Sequence, residues 1–315
     1  MRIPSGAHRV AVLAVAAVLA ASCGGNDNKS SSGSGGKLAG KLDGKSFTVG
    51  GKEFTEQKIL CEITAQALEN AGAKVKRQCG LSGSSTVRTA LTSGRIDMYW
   101  EYTGTGWITH LKHTKPIPDS QQQYDAVAKE DLEKNQIKWL AFAPFDNTYA
   151  LGVRKDNMTD VKTLTDYGKL AQSDPAKASL CVATEFTNRD DGLPGLESTY
   201  GFKAAKLATL DEGAIYNSIQ KAKPCNFGEV FTTDGRIEGL GLRVLEDDKK
   251  FFAIYNPALN VRESVFKDNP ALAEVMDPIA KALDTATMQK MNADFDTKGD
   301  TAKDLAKQFL KDKVK

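Results

Sequence analysis

The feature that most constrains this chain is a regular alternation of strand-like and helix-like segments over residues 46–311. Residues 46–51 form a short β-rich run that ends in glycine, whereas residues 54–72 repeat apolar side chains at the three- and four-residue spacing of a helix. Such alternation predicts an α/β fold with largely parallel sheets. Further strands are expected at residues 74–79, 96–100, 138–143, 148–153, 179–183, 227–231 and 251–255, and further helices at residues 84–93, 120–135, 161–171, 212–222 and 270–311.

The first 22 residues have the composition of an export signal. Arg2 and Arg9 flank the start of a wholly apolar run at residues 10–21, which as a helix rises about 18 Å and falls short of the roughly 30 Å hydrocarbon core of a membrane. The chain has 42 Lys and Arg against 40 Asp and Glu, so removal of this signal leaves a neutral chain. A neutral chain lacks the field of cations that a broad nucleic-acid surface requires.

The cysteine that follows the signal predicts a lipid anchor. Ala20, Ala21 and Ser22 directly precede Cys23, and LAASC resembles a bacterial lipobox, although Ala20 stands where such motifs usually have leucine. The alternative is an ordinary signal peptide followed by a chance cysteine. Residues 23–45 are rich in Gly, Ser, Asn, Asp and Lys, which predicts a lipidated Cys23 on a flexible tether.

Four cysteines remain in the body of the chain: Cys61, Cys79, Cys181 and Cys225. An even number in an exported chain suggests two disulfides, and the count alone allows three pairings. The CxxC and histidine spacings of a zinc site are missing, and the HxxH pair His110 and His113 has no acidic residue beside it in sequence. We therefore expect no metal and no cofactor.

Three residues in loops carry groups suited to an anion. Lys52 lies between a strand and the start of a helix in GGKEFTEQ, where the ammonium and the helix N-terminus both favour negative charge. Thr105 offers a hydroxyl between two glycines in EYTGTGW, where the backbone can approach a ligand closely, and Arg189 lies in FTNRDDGLPGL. The alternatives are a solvated lysine and a surface ion pair of Arg189 with Asp190 or Asp191.

Four aromatic residues stand at or beside the ends of predicted strands. They are Tyr102 in EYTGTGW, Tyr149 in PFDNTYALGV, Phe231 in EVFTTDGRI and Tyr255 in FFAIYNP. In open α/β sheets the loops beyond the strand ends are where ligands bind. The alternative for each ring is packing in the core.

Six sequence blocks together resemble one family. The blocks GGKEFTEQ, SGRIDMYWEYTGT, NTYALGVR, RDDGLPGL, TTDGRI and YNPALNVR occur in the order and spacing of the substrate-binding proteins of osmoprotectant ABC importers, the glycine betaine, choline and carnitine receptors of the quaternary-amine type. The resemblance covers residues 46–315. It implies a bilobed periplasmic-binding-protein fold of type II, with one lobe at residues 46–146 plus 256–315, the other at residues 147–255, and a two-crossover hinge on which the lobes close over the ligand.

The resemblance also implies a cation cage. In this family a quaternary ammonium lies in a box of aromatic rings, and the matching positions are Tyr102, Tyr149, Phe231 and Tyr255. Ring faces suit a trimethylammonium, which has no N–H to donate, and each cation–π contact contributes about 0.5–2 kcal/mol. Phe231 replaces the tyrosine that is usual in the family, which implies a working cage with altered secondary contacts.

The matching carboxylate grip is Lys52, Thr105 and Arg189, with Gln57 orienting it. Arg189 can fork onto both oxygens, Lys52 adds a point charge, and Thr105 donates one hydrogen bond. Choline would leave Lys52 and Arg189 facing no anion in a closed cleft. Glycine betaine and related zwitterions therefore rank above choline as the expected ligand.

Other ligands and functions stay open as alternatives. Carnitine, proline betaine and ergothioneine carry the same two charges, and the departure at Phe231 leaves room for another amino acid or an aromatic metabolite. An enzyme is not expected, because the chain has no GxSxG, Walker A, HExxH or convincing Cys/His arrangement. The acids near the cleft loops, Glu53, Glu101 and Asp234, are interpreted as solvated or capping residues.

The lobes and the export signal set the remaining expectations. Pairing within each lobe leaves the hinge free, so Cys61–Cys79 and Cys181–Cys225 are the expected disulfides. The resemblance implies a lipid-anchored monomer on the outer face of the bacterial cytoplasmic membrane. Its partners would be a small quaternary-amine ligand and a cognate ABC permease with its ATPase, with no nucleic acid and no membrane contact beyond the anchor.

Overall fold

The computed structural model describes residues 39–314. The predicted signal peptide at residues 1–22 and the lipidated Cys23 lie outside the described residues. Within residues 39–314 the strands are β1 Ser46–Lys52, β2 Lys74–Leu81, β3 Met98–Tyr102, β4 Ile137–Phe142, β5 Tyr149–Arg154, β6 Leu180–Val182, β7 Leu207–Thr209, β8 Phe227–Phe231, β9 Leu242–Val244 and β10 Pro257–Arg262. The helices are α1 Thr55–Asn70, α2 Ser84–Thr92, α3 Ser120–Asn135, α4 Leu164–Ser173, α5 Thr184–Asn188, α6 Leu193–Tyr200, α7 Glu212–Lys221, α8 Arg236–Gly239, α9 Glu263–Asp268, α10 Ala271–Ala282, α11 Thr285–Ala293 and α12 Ala302–Lys313, with π-helices at Thr105–His110 and Asp294–Lys298.

The strands form two five-stranded sheets with the same pattern of connections. The first has the order β2-β1-β3-β10-β4 and the second has the order β7-β6-β8-β5-β9. We call the half of the fold built on the first sheet the first lobe and the half built on the second sheet the second lobe. The bilobed α/β architecture expected from the sequence is confirmed.

The expectation of largely parallel sheets is confirmed, since four of the five strands in each sheet point the same way and one strand runs antiparallel to them. In the first sheet β1 is parallel to β2 and β3, but β10 is antiparallel to β3 and β4. In the second sheet β6 is parallel to β7 and β8, but β5 is antiparallel to β8 and β9. Strands β5 and β10 are those by which the chain enters one lobe from the other, and they run against their neighbours. Periodicity locates a strand but carries no information about its direction.

Two strands lie elsewhere than the sequence predicts. Residues 251–255 form no strand, and the returning strand β10 begins only at Pro257. A proline is tolerated there because it is the first residue of the strand. Strand β3 is displaced toward the C-terminus from its expected position, so Tyr102 is its last residue rather than a loop residue.

The expected tether reaches too far along the chain. Residues 39–45, which composition assigns to it, form turns that pack on the first lobe. Leu42 is 2% exposed within the core, and its N–H donates to the carbonyl oxygen of Ala71 at 2.8 Å. Lys41 pairs with Glu274. One buried leucine in a polar segment therefore fixes the chain ahead of β1.

Each lobe has its own core and its own disulfide. In the first lobe α1 packs its apolar face on the sheet, with Ile59, Leu60 and Ile63 fully buried. The expected pairs are present: Cys61–Cys79 joins α1 to β2, and Cys181–Cys225 joins β6 to the loop before β8. Their Cα atoms lie 6.0 and 5.6 Å apart, which is usual for disulfides. Neither bridge joins the lobes, so both leave the hinge free.

Two chain segments cross between the lobes side by side. The N–H of Ala143 donates to the carbonyl oxygen of Pro257 at 2.8 Å, and the N–H of Tyr255 donates to Oδ1 of Asp146 at 2.7 Å. Burial raises the pKa of Asp146 to about 6. This paired crossing is the two-crossover hinge, and it brings the ring centroids of Tyr149 and Tyr255 to 5.5 Å from each other.

Candidate ligand-binding site

A cavity of about 830 Å³ lies between the loops of the two lobes. It is lined by the residues that the sequence predicts for the cage and the grip: Lys52, Tyr102, Thr105, Tyr149, Arg189, Phe231 and Tyr255. Lys52 ends β1, Tyr102 ends β3 and Phe231 ends β8. The fold therefore gathers residues that are far apart in sequence at the ends of neighbouring strands.

Tyr149 is the centre of an aromatic group in this cavity. Its ring centroid lies 4.9 Å from that of Phe231 and 5.5 Å from that of Tyr255, the second pair being edge-to-face. Gly104 lets the Tyr255 ring approach the backbone, since a Cβ at this glycine would come within 2.7 Å of the ring. Gly104, where a close approach of a ligand to the backbone is expected from the sequence, is instead approached by a ring of the cage.

Phe54 is a ring of this site that the sequence analysis missed. Its centroid lies 5.4 Å from that of Phe231 and 6.2 Å from that of Tyr102, with stacked planes in both pairs. It lines the cavity and joins a ring of the first lobe to a ring of the second. The signal for it lies in GGKEFTEQ, where Phe54 stands two residues after Lys52 and directly before α1.

Lys52 forms a buried ion pair. Its Nζ lies 2.7 Å from Oε1 of Glu101 and 5.1 Å from the ring centroid of Tyr102. Glu101 is fully buried, accepts hydrogen bonds from the hydroxyl of Tyr99 and the backbone N–H of Tyr102, and contacts His110 at 2.8 Å. Burial opposes its ionisation, but Lys52 and His110 outweigh burial and hold the pKa of Glu101 below its ordinary value. The interpretation of Glu101 as a solvated or capping residue is wrong.

The other two acids near the cleft loops fit the interpretation as capping residues. Glu53 accepts from the N–H of Gly83, the residue directly before α2, at 3.0 Å. Asp234 accepts from the N–H of Arg236 at 2.9 Å and also pairs with its guanidinium. The oxygens of Glu53 and Asp234 that make these contacts cannot bind a ligand unless the contacts break.

The two histidines of the HxxH motif have separate acidic partners that only the fold supplies. Nε2 of His110 lies 2.8 Å from Oε2 of Glu101, and Nε2 of His113 lies 2.8 Å from Oε2 of Glu130. The His113 ring also stacks on Trp107. Across residues 39–314 there is no group of three or more His, Cys, Asp or Glu side chains arranged to hold a metal ion.

Arg189 is largely committed to protein acids. Its Nε and Nη2 donate to the two carboxylate oxygens of Asp191 at 2.7 and 2.5 Å, and its Nη1 donates to Glu185 at 2.9 Å. Nη2 also donates to the hydroxyl of Thr105 at 3.3 Å, and Tyr255 donates its O–H to Asp191 at 2.7 Å. These contacts engage four of the five N–H groups of a guanidinium. The alternative of a pair with Asp191 is therefore correct, but the pair is buried rather than on the surface.

This pairing removes the expected reason for rejecting choline. Lys52 and Arg189 each face a protein carboxylate, so choline would not leave them unpaired. Within the three grip residues, the donors that have no partner in residues 39–314 are two N–H groups of Lys52, one of Arg189 and the hydroxyl proton of Thr105. They can bind a carboxylate through hydrogen bonds, with little net positive charge behind them.

Gln57 binds the backbone of Lys52 from outside the cavity. Its Oε1 accepts from the backbone N–H of Lys52 at 3.2 Å, and its Nε2 donates to the carbonyl oxygen of Trp100 at 3.0 Å. The side chain is 1% exposed and stands outside the cavity lining. It ties β1 to β3 at the level of the site.

Hydrogen bonds join the two lobes beside the cavity. Ser84 of α2 donates from its N–H and its hydroxyl to Glu185 of α5, at 3.0 and 2.6 Å. Glu56 of α1 accepts from the hydroxyl of Thr233 in the second lobe at 2.7 Å, and also from the hydroxyl of Tyr102 in its own lobe at 2.7 Å. Burial raises the pKa of Glu56. These contacts define a closed arrangement of the lobes.

The fold and the cleft define a bilobed substrate-binding protein, and comparison with known proteins gives the family. The family described as the substrate binding domain of ABC-type glycine betaine transport systems matches residues 45–312. The chain belongs to this family, which confirms the resemblance drawn from the six sequence blocks.

Individual proteins are similar over nearly the same range. A glycine-betaine-binding protein of Pseudomonas aeruginosa is 36% identical over 283 residues, which are 87% of this chain and 90% of that protein. The apo structure of YehZ from Escherichia coli is 34% identical and covers 85% of this chain and 99% of its own, with a TM-score of 0.62. An ergothioneine transport permease/ergothioneine binding protein of Helicobacter pylori is 30% identical over 85% of this chain and 48% of its own length.

Membership of this family fixes the general role. Its members are binding proteins of transport systems rather than enzymes, act outside the cytoplasm and work with an ABC permease. None of the helices within residues 39–314 combines the length and the apolar character that crossing a membrane requires.

Proposed function

We propose that this protein is an extracytoplasmic receptor that binds a quaternary-ammonium zwitterion of the glycine betaine type in the cleft and delivers it to an ABC permease. The observation that carries this proposal is the convergence of Tyr149, Phe231 and Tyr255 with Lys52 and Arg189 on one cavity. The rings offer faces for the ammonium, and the two cations offer N–H groups for the carboxylate. The names of the glycine-betaine-binding protein of Pseudomonas aeruginosa and of the glycine betaine-binding protein YehZ of Escherichia coli support the same type of ligand.

Each end of the ligand is assigned to its own side chains. The ammonium is assigned to the cage of Tyr102, Tyr149, Phe231 and Tyr255, and Phe54 extends this cage because it stacks between two of its rings. The carboxylate is assigned to Lys52, Thr105 and the one uncommitted N–H of Arg189. No catalytic step is assigned, so glycine betaine incubated with the protein should be recovered unchanged.

The carboxylate end is tested with Thr105→Val, which keeps the side-chain shape and removes the hydroxyl. We expect about a tenfold loss of affinity for glycine betaine, which corresponds to about 1.4 kcal/mol for one hydrogen bond, and little change for choline. Arg189→Ala should weaken glycine betaine more strongly, but it also leaves Asp191 without its partner, so circular dichroism must confirm folding. Equal losses for the two ligands in Thr105→Val, measured by calorimetry, would refute the assignment.

The cage is tested with Tyr102→Ala and Tyr255→Ala. Both should weaken glycine betaine and choline alike, by about 1–2 kcal/mol, because the two ligands share the trimethylammonium group. Phe231→Tyr should be tolerated. Tyr124→Ala is the matched control, since this tyrosine packs on Phe142 at 5.0 Å between centroids, outside the lining of the cavity. Unchanged affinity in Tyr102→Ala would exclude that ring from the cage.

The lobe boundaries are proposed at residues 146/147 and 255/256. The strands of the first sheet fall within residues 46–146 and 256–315, and those of the second fall within residues 147–255, which supports the division. Closure on the hinge predicts a smaller radius of gyration with glycine betaine than without it. Identical small-angle scattering in the two states would oppose this part of the proposal.

The location is proposed to be the outer face of the cytoplasmic membrane, where a monomer is held by lipidated Cys23. The support is LAASC with the polar segment that follows it. Cys23→Ser should release the protein into the medium and leave the affinity for glycine betaine unchanged. Membrane retention of this variant in a fractionation assay would count against the anchor.

A further inference from the structure

One carboxyl group stands on an otherwise apolar sheet face beside the cage. Along β8, Phe227, Glu229 and Phe231 share one face because side chains alternate along a strand. Leu151 of the neighbouring strand β5 lies directly opposite Glu229. Leu151, Phe227 and the adjacent rings belong to one apolar cluster, and Glu229 is only 3% exposed among them. A carboxyl group in such surroundings requires an explanation, because its burial is unfavourable unless it is hydrogen-bonded.

The hydrogen bonding of Glu229 is half complete. Its Oε2 accepts from the N–H of Ala183 at 2.8 Å, whereas Oε1 has no hydrogen-bond partner among residues 39–314. Oε1 is also not enclosed by protein, and Glu229 belongs to the lining of the cavity. The open oxygen is therefore directed toward the space where the ligand is proposed to bind.

The charges around Glu229 leave it without a counter-ion. The groups that face it are Glu185 and Arg189 from the segment after β6, Tyr149 from β5 and Glu212 from α7. Arg189 is already engaged by Asp191 and Glu185. Burial raises the pKa of Glu229 to about 8, with the neighbouring Glu185 acting in the same direction. At neutral pH the group is mainly a neutral acid, which can accept or donate one hydrogen bond at its open oxygen.

Glu229 lies between the two ends of the proposed site. It precedes the cage ring of Phe231 by two residues, about 7 Å along the strand. Its bonded partner Ala183 directly precedes α5, which leads to Arg189 of the grip. Glu229 therefore borders the same space as the ring of Phe231 and Arg189, whose guanidinium lies 5.6 Å from the ring centroid of Tyr149.

We propose that Glu229 is a specificity-determining residue whose open oxygen binds a hydroxyl or N–H group that the ligand carries in addition to its ammonium and carboxylate. The inference rests on the proposed function and narrows it to betaines with such a donor. Glycine betaine has no hydroxyl or N–H of its own, and a cavity of about 830 Å³ lies within the range for much larger ligands. A donor-free betaine offers this oxygen no hydrogen to accept, so the hydrogen bond that a donor-bearing betaine can make there is not formed.

The first experiment needs no variant. Calorimetry of the wild-type protein compares carnitine with γ-butyrobetaine, which differ by one hydroxyl, and ergothioneine, which carries an N–H group, with glycine betaine. We expect at least tenfold tighter binding of the donor-bearing member in one pair. The first pair isolates a hydroxyl, whereas a preference for ergothioneine is assigned to its N–H only if the Glu229 variants below abolish it. Equal affinities within both pairs would overturn the inference while leaving the proposed function intact. Absence of binding by all four would overturn the proposed function and the inference with it.

The second experiment assigns the preference to Glu229. Glu229→Leu, which suits the apolar face, should remove the preference for the donor-bearing ligand and leave the affinity for its donor-free counterpart within about twofold. Glu229→Gln keeps polar atoms at the same place and should retain part of the preference. Asp211→Asn, on an exposed acid that lines the same cavity and is not among the groups that face Glu229, should leave the ratio unchanged and serves as the control. An equal loss for every ligand in Glu229→Leu would indicate a structural role only and would contradict the inference.

Discussion

The two lobes each bury one carboxyl group on the equivalent strand of their sheets, and the two groups differ in how many hydrogen-bond partners they have. Glu101 lies on β3 and Glu229 on β8, each the third strand in the order of its sheet. Glu101 has four partners, including Lys52 and His110, whereas Glu229 has one backbone N–H. Accordingly the pKa of Glu101 is lowered and that of Glu229 is raised to about 8.

This difference separates a carboxyl group that positions other side chains of the site from one that has an oxygen open to a ligand. A buried charge with a full set of partners contributes to positioning, and here it fixes the ammonium of Lys52 beside Tyr102. A polar atom that faces the cavity costs about 1–3 kcal/mol when a bound ligand excludes water from it without supplying a hydrogen-bond partner. A structure retains such an atom most readily where binding supplies the missing partner.

The largest effect on stability is expected from neutralising Glu101, the carboxyl group that has a full set of partners. Glu101→Gln leaves Lys52 without its counter-ion in a buried site, so the free energy of unfolding should fall by about 3 kcal/mol or more. Urea denaturation measures this loss. Glu229→Gln is the matched control and should not lower the free energy of unfolding, because the amide oxygen can still accept from Ala183 and the neutral amide removes the cost of keeping a buried carboxyl group protonated above pH 4.5. Similar losses in the two variants would remove the distinction between the two carboxyl groups.

The disulfides give a second comparison of the lobes. Cys61–Cys79 closes a loop of 18 residues and Cys181–Cys225 a loop of 44 residues. On the chain-entropy account, removing them should destabilise the protein by about 3 and 4 kcal/mol respectively. Double serine variants of each pair, compared by urea denaturation, check the order. A larger loss for the first pair would show that enthalpy rather than loop length decides.

A smaller effect is expected in the pH dependence of stability. The pKa of Glu229 rises from 4.5 to about 8 on folding, so between these values the folded protein keeps a proton that the unfolded chain has lost. Stability from this group is complete below pH 4.5 and declines as the pH rises toward 8, by at most about 1.4 kcal/mol per pH unit. Glu101, whose pKa is lowered, acts in the opposite sense and loses its contribution only as the pH falls below 4.5.

The measurement compares the wild-type protein with Glu229→Gln at pH 6 and pH 8. The free energy of unfolding should fall more steeply with pH in the wild-type protein, since groups such as Glu56 and Asp146 titrate equally in both. Parallel curves would show that Glu229 is already ionised in the folded state at pH 6.

Much of the fold could be predicted from the sequence because periodicity and composition act locally. The helix expected at residues 120–135 is α3, and Val87 and Leu91 of α2 are fully buried as their spacing predicts. The direction of β5 and β10 could not be predicted, because it depends on where the chain crosses between the lobes. Residues 251–255 resemble a strand, yet Phe252 packs its ring near Tyr149 instead of joining a sheet.

The candidate site shows the same division. The position of its rings at strand ends follows from local pattern and family resemblance, whereas the pairing of its charges does not. Lys52 meets Glu101 across 49 residues of sequence, and Glu185 meets Ser84 across 101. Such partners are set by the three-dimensional arrangement. The loop sequence therefore predicts Arg189 as a site residue, whereas its ion pair with Asp191 is visible only in the fold.

The hydrogen bonds that Ser84 and Thr233 make across the cleft affect how strictly ATP hydrolysis by the transporter depends on a bound ligand. They connect protein to protein, so part of the free energy that favours the shut receptor exists before any solute arrives. The apparent affinity rises as the shut population grows, but the contrast between loaded and empty receptors falls by the same factor. A transporter that responds to the shut shape would then hydrolyse ATP on empty receptors, and weakening these two contacts would trade affinity for tighter coupling of hydrolysis to import.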